Sequence, residues 1–131
     1  MTDILSIATS GLRAQSTKLA TSANNIANVN TTGALAEDNP DTGAYAPIDT
    51  VLETQNGGGV AASTQTRQNP YTTVYDPSSV YANADGLISA PNISLEEEIV
   101  DTKIAEIAYK ANAKLISVAK ELDEALLDTL T

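Results

Sequence analysis

The sequence predicts a mainly α protein with a small β insert: an antiparallel, coiled-coil-like pair of long N- and C-terminal helices joined by a short β-hairpin and loop domain. Three observations carry this fold class. Apolar residues recur every seven positions through Leu5, Leu12, Leu19 and Ile26, which makes one narrow seam on a helix. A second series, Val100, Ile104, Ile107, Ala111, Leu115, Val118, Leu122 and Leu126, steps by three or four. All five prolines (Pro40, Pro47, Pro70, Pro77 and Pro91) fall between the two series, where they exclude a long helix. The chain divides accordingly into an N-terminal helical segment, residues 1–33, a β-rich insert with loops, residues 34–92, and a C-terminal helical segment, residues 93–131.

The first helix is expected over residues 3–30, with Thr2 or Asp3 as N-cap and Asp3 favourably placed on the helix dipole. It would be about 42 Å long at 1.5 Å per residue. Gly11 weakens it but lets another backbone come close. Ala8, Gln15 and Ser22, at the edge of the seam, are small or polar and suit close contact with several neighbours. The stretch from Ser10 to Gly33 is rich in Ser, Thr and Asn, each roughly 0.5 kcal/mol or more worse than Ala in a helix interior. Such a helix is expected to be ordered only when packed. Asn24, Asn25, Asn28 and Asn30 crowd its last two turns, and Gly33 is available as a C-cap. By residue type alone this cluster suits a helix terminator.

In the insert, Ala34 to Tyr45 reads as an acidic loop. Ile48–Thr54 and Val60–Thr66 form a hairpin about Asn56-Gly57-Gly58-Gly59, and Tyr71–Tyr75 is a third β-prone run. Ala84-Asp85-Gly86-Leu87 marks a tight turn. A small, twisted, mostly exposed β element is expected, too poor in bulky residues to be stable alone.

The second helix opens at Ser94, which has capping-box spacing to Glu97, and Glu96, Glu97 and Glu98 place negative charge on its N-terminal dipole. Its stripe is the strongest periodic signal in the chain. Fully burying its seven large residues would contribute roughly 10–20 kcal/mol before entropy, as an upper bound. Glu106 with Lys110 adds a few tenths of a kcal/mol. A hairpin of two helices cannot bury all of these faces, so the remainder calls for copies or close relatives packed alongside.

The composition excludes several functions. A net charge of −10 and a pI near 4.1 argue against nucleic acid and anionic membrane surfaces as partners. Without Cys there is no disulfide framework, and without His the usual general base and transition-metal ligand are missing. No run of about 20 apolar residues spans a membrane, and Met1-Thr2-Asp3 does not open a secretory signal peptide. The pairs Asp76 with Asp85 and Glu37 with Asp41 read as solvated loop acids rather than acid/base machinery. Gly57-Gly58-Gly59 lacks the Lys-Ser/Thr of a phosphate loop, and residues 37–41 do not match a calcium loop. The glycosylation patterns at Asn30 and Asn92 matter only in a secretory context. No catalytic residue, cofactor, metal or small-molecule substrate is expected.

The segments Ala8-Thr9-Ser10-Gly11-Leu12-Arg13-Ala14-Gln15 and Ala23-Asn24-Asn25-Ile26-Ala27-Asn28-Val29-Asn30-Thr31-Thr32-Gly33 resemble the N-terminal motif of the bacterial flagellar axial proteins, the rod, hook and hook-associated family. Asp76-Pro77, Ala84-Asp85-Gly86, Pro91-Asn92, Glu97-Glu98, Tyr109-Lys110-Ala111-Asn112 and Lys120 look like the proximal rod branch of that family, and the short insert agrees. Residues 34–75 match only loosely. The resemblance implies a structural subunit of the basal-body rod, a hollow shaft in the periplasm that transmits torque and self-assembles through its terminal helices; in such a shaft the Ser/Thr/Asn-rich faces of the first helix would suit a polar channel lining or polar contacts between helices. It implies other rod subunits and the flagellar type III export apparatus as partners, with export from the cytoplasm and no cleaved signal peptide.

The assembly interface is expected to comprise Leu5, Leu12, Leu19, Asn24, Asn25, Ile26, Asn28 and Val29 on the first helix. On the second it comprises Val100, Ile104, Ile107, Tyr109, Asn112, Leu115, Val118 and Leu122. Two other readings fit: a neighbouring rod subunit of similar layout, and, from another class, a soluble coiled-coil adaptor or export chaperone. A hydrolase using Asp76 or Asp85 has least support.

Overall fold

A computed structural model describes residues 2–35 and 43–130. Helix α1 (Thr2–Asn28) is followed by strands β1 (Ile48–Thr54), β2 (Val60–Thr66), β3 (Tyr71–Tyr75) and β4 (Leu87–Pro91), and the chain closes with helix α2 (Leu95–Leu130). This is the expected layout. The acidic loop centred on Glu37 to Asp41 lies outside the described residues.

The helices run antiparallel: Asn25 meets Glu98, Lys18 meets Asp101, and Gly11 meets Asn112. Small and polar side chains make this contact. Ala8, Gly11, Ala14, Ser22 and Asn25 are buried on α1, and Glu98, Ala105 and Ala119 on α2. A Cβ at Gly11 would lie 2.8 Å from the Asn112 amide, so glycine sets how closely the helices approach there. The pairing of Gly11 with Asn112 and of Asn25 with Glu98 places Thr2 level with about Glu121. The last turns of α2 therefore project roughly 13 Å past α1.

The local signals work largely as chemistry dictates. Ser94 Oγ accepts the Glu97 backbone N–H at 3.3 Å at the start of α2. At the end of α1, Thr31 donates both its N–H and its hydroxyl to the Asn28 carbonyl, at 3.0 and 2.8 Å, so the helix stops two residues short of the expected end. Gly33 is not the C-cap expected of it. It forms an antiparallel bridge with Ser89, with N···O distances of 3.0 and 2.9 Å, and so ties the exit of α1 to β4.

The β insert consists of two separate two-stranded sheets. The expected hairpin β1–β2 is antiparallel from Ile48 opposite Thr66 to Thr54 opposite Val60. Gly57, Gly58 and Gly59 turn it with positive φ, a conformation costly for a side-chain-bearing residue. The second hairpin pairs β3 with β4, from Tyr71 opposite Pro91 to Tyr75 opposite Leu87. Between them Asn83 Oδ1 accepts from the Asp85 and Leu87 N–H groups, and Gly86 takes φ 75° in the tight turn.

The buried apolar residues are mostly alanines, with Ile88 the largest side chain among them. A chain without Phe or Trp is thus held by close backbone approach more than by bulky packing.

Candidate assembly interface

One polar node fixes the insert to the helix pair. Asn25 is fully buried, and its carboxamide is saturated. Its Nδ2 donates to the Ile48 carbonyl and to Glu98 Oε1, both at 2.9 Å. Its Oδ1 accepts from Tyr45 Oη at 3.0 Å and from the Ile48 N–H at 3.1 Å. Four hydrogen bonds use every site the side chain offers and join α1, α2 and β1. Glu98, 4% exposed, also accepts from Arg67 Nη2 at 2.8 Å, and Arg67 bridges to Asp49 and to the Asn92 carbonyl. The guanidinium fork thereby spans the end of β2, the start of β1 and the entry to α2. Its hydrogen bond to Asp49 and then that to Glu98 hold Arg67 above its ordinary pKa, against the opposing effect of burial. Burial, and next the Glu98 charge, push the Tyr45 phenol up, with Arg67 opposing.

The β1–β2 hairpin lies along α1 from this node. Thr50 Oγ1 donates to Thr21 Oγ1 at 2.9 Å, and the Val60 N–H donates to Ser10 Oγ at 3.1 Å. Ser10, Thr21 and Asn25 of α1 therefore each make at least one polar contact with the hairpin. Ser6, Thr9, Ser10 and Thr17 donate their hydroxyls to carbonyls of their own helix three or four residues back. The polar character of α1 serves these contacts, a third arrangement beside the channel lining and helix-to-helix contacts expected from the sequence.

The residues expected at the interface separate into three groups. Val100, Ile104, Ile107, Tyr109, Leu115, Val118 and Leu122 are all exposed on α2, as are Ala111 and Leu126 of the same stripe. Exposure of the large aliphatic members runs from 38% at Val118 to 67% at Ile107. The stripe faces away from α1. Leu5, Leu12, Leu19, Ile26 and Val29 are half-buried on α1. Asn24 is exposed, and Asn28 is half-buried with its Nδ2 on the Asn24 carbonyl. Asn25 and Asn112 are engaged inside the chain, Asn25 in the node and Asn112 against Gly11 with its Nδ2 on the Ala108 carbonyl.

Sequence reasoning missed Arg67, Asp49 and Tyr45, and took Glu98 for a dipole residue and part of a family motif, not for a buried partner of Asn25. Arg67 is one of two arginines in an acidic chain, placed directly after a strand; that isolation was the one available signal. On the outer surface of α2, Glu106 is held down to about 2 by hydrogen bonds from Lys110 and then Lys103. Among the described residues no cluster of acidic residues is arranged to hold a metal, and no helix is long and apolar enough to cross a membrane.

Comparison with known proteins agrees with this architecture at both ends of the chain. Residues 5–34 match the family model described as flagella basal body rod protein. Residues 84–129 match that of the flagellar basal body rod FlgEFG protein C-terminal. The flagellar basal-body rod protein FlgC of Salmonella typhimurium is 32% identical over 130 residues, covering 98% of this chain and 95% of the relative. That of Yersinia enterocolitica is 34% identical over 136 residues, with the same coverage, and that of Borreliella burgdorferi 32% over 149 residues, covering 96% and 95%. With about a third of its residues shared along nearly the full length of both chains, and both terminal segments matched, the chain belongs to the flagellar basal-body rod protein family.

Proposed function

We propose that the chain is a structural subunit of the bacterial flagellar basal-body rod and that it assembles through the outer face of its helix pair. The family is structural, not enzymatic. In this reading residues 1–33 and 93–131 are the assembly segments and residues 34–92 the insert braced against them. The single observation that carries the interface is the apolar stripe of α2. Seven large aliphatic residues in helical register stay largely in water on the isolated chain, while alanines and a glycine pack α1 against α2. A continuous apolar patch of this kind on a soluble domain marks a contact surface.

Burying the exposed half of these side chains would supply roughly 5–10 kcal/mol as an upper bound, before the costs of association. That is enough for a contact repeated along a shaft. Torque would then pass through many such contacts, with the Asn25–Glu98–Arg67 node keeping the insert and the two helices in fixed relation. Rod subunits are its partners, and the flagellar type III apparatus is its route out of the cytoplasm.

Fractionation combined with one substitution tests this. The wild-type chain should co-purify with basal bodies. Ile107→Asp, at the most exposed stripe position, should leave the isolated chain folded, with unchanged circular dichroism, yet abolish incorporation and swimming. Normal incorporation of that variant would refute the interface.

A further inference from the structure

A groove of about 570 Å³ runs between the first half of α1 and strand β2. We propose that it receives α2 of a second copy of this chain, with the apolar stripe around Leu115, Val118 and Leu122 seated in it. The proposal rests on the rod-subunit reading and adds which two surfaces meet.

The groove has an apolar floor between polar edges. Leu5 and Ala14 of α1 and Val60, Ala61 and Ala62 of β2 form the floor, and Ser6 and Gln55 stand at its edges. The hydroxyls of Thr9, Ser10 and Thr17 also line it, but each already donates to a carbonyl of α1, at 2.7, 2.7 and 3.2 Å. An apolar face can therefore cover them without leaving a hydroxyl donor unpaired. The stripe on α2 supplies that face, in helical register.

Charge favours the same match. Arg13 lines the groove, is exposed, and has no ion pair among the described residues. Next to the proposed ridge, Glu121, Asp123 and Glu124 outnumber Lys114 and Lys120, and Lys120 pairs with Glu124 at 3.6 Å, which leaves Glu121 and Asp123 as the acids for a neighbour. Seating Leu122 in the groove would bring the acids toward Arg13 of the neighbour. Groove and ridge are different surfaces of one chain, so after a single contact one copy keeps its ridge unused and the other its groove. Such a heterologous contact propagates instead of closing on itself as a two-fold dimer does.

The chain has no native cysteine, which makes cross-linking selective. Ala62→Cys and Leu122→Cys chains are produced together in one cell, and basal bodies are isolated and oxidised. A mixed dimer joining the two differently tagged chains is expected, and it should be lost when Thr73→Cys on β3 replaces Ala62→Cys. Swimming cells that yield only Leu122→Cys dimers with themselves, or no dimer, would overturn the groove while leaving the rod-subunit reading intact. Absence of the wild-type chain from basal bodies would instead overturn that reading. Should either cysteine variant fail to assemble, the charge pair decides. Arg13→Glu should stop swimming and Glu121→Arg should restore it, and a swimming Arg13→Glu strain refutes the contact.

Discussion

Replacing Asn25 by alanine tests the node most severely. The side chain is fully buried and makes four hydrogen bonds, two through Nδ2 and two through Oδ1. In the Asn25→Ala variant, Glu98 keeps Arg67 and Tyr45 is near enough to solvent to find water, but the N–H and carbonyl of Ile48 lose their partners beside a new void. An unsatisfied buried polar group costs about 1–3 kcal/mol, so the total should be about 2–4 kcal/mol. For a chain of this size that lowers Tm by about 6–16 °C. Thermal unfolding of the isolated chain followed by circular dichroism measures it, with urea midpoints as a second reading. Asn24→Ala is the matched control from the same asparagine cluster: Asn24 is exposed, and its substitution should stay within about 0.5 kcal/mol of wild type. A Tm loss under about 2 °C for Asn25→Ala, or equal losses for both variants, would refute the assignment of Asn25 as the joint.

Three further outcomes follow from the same geometry. Gly11→Ala should destabilise by about 1–3 kcal/mol through its clash with Asn112, despite the better helix propensity of alanine, and an Asn112→Ala background should remove the loss in a double-mutant cycle. Arg67→Met should cost about 2–4 kcal/mol in urea unfolding, because Glu98 stays buried without its cation; Arg67→Lys should recover little of it, since an ammonium lacks the fork that reaches both Asp49 and Glu98. Glu106, held to about 2 against an ordinary value of 4.5, has a folded pKa below its unfolded one, so its contribution is present above about 4.5 and lost as pH falls toward 2. The small difference in Tm between wild type and Glu106→Gln should therefore shrink over that window, and at neutral pH it should shrink with added salt, because both lysine partners are exposed.

The elements that local chemistry specifies were legible in the sequence. The stripe and Ser94 located α2, the glycine turn located β1 and β2, and the Tyr71 to Tyr75 run located β3. Strand β4 was not legible, because Leu87–Pro91 is short, ends in proline and acquires its strand character from β3 and Gly33, both distant in sequence. The asparagine cluster misled in part. Residue type suggested a terminator, whereas Asn25 serves a tertiary node, and a saturated carboxamide leaves no mark on periodicity. Arg67 was invisible for the same reason: its partners Asp49, Glu98 and Asn92 come together only once the hairpin folds onto both helices. The stripe of α2 was read correctly as apolar and helical, and the sequence also implied that two helices alone could not bury it. Which face α2 would turn to α1 was not readable, since it depends on how closely Gly11, Ala8 and Ala14 let the second helix approach.

The most direct measurement is the solvent accessibility of that stripe before and after assembly. An Ile107→Cys or Leu115→Cys chain, the only cysteine present, is treated with a maleimide as the isolated subunit and within intact basal bodies. The account predicts rapid labelling of the isolated subunit and near-complete protection in the rod. Equal labelling in both states, in cells that swim, would contradict it.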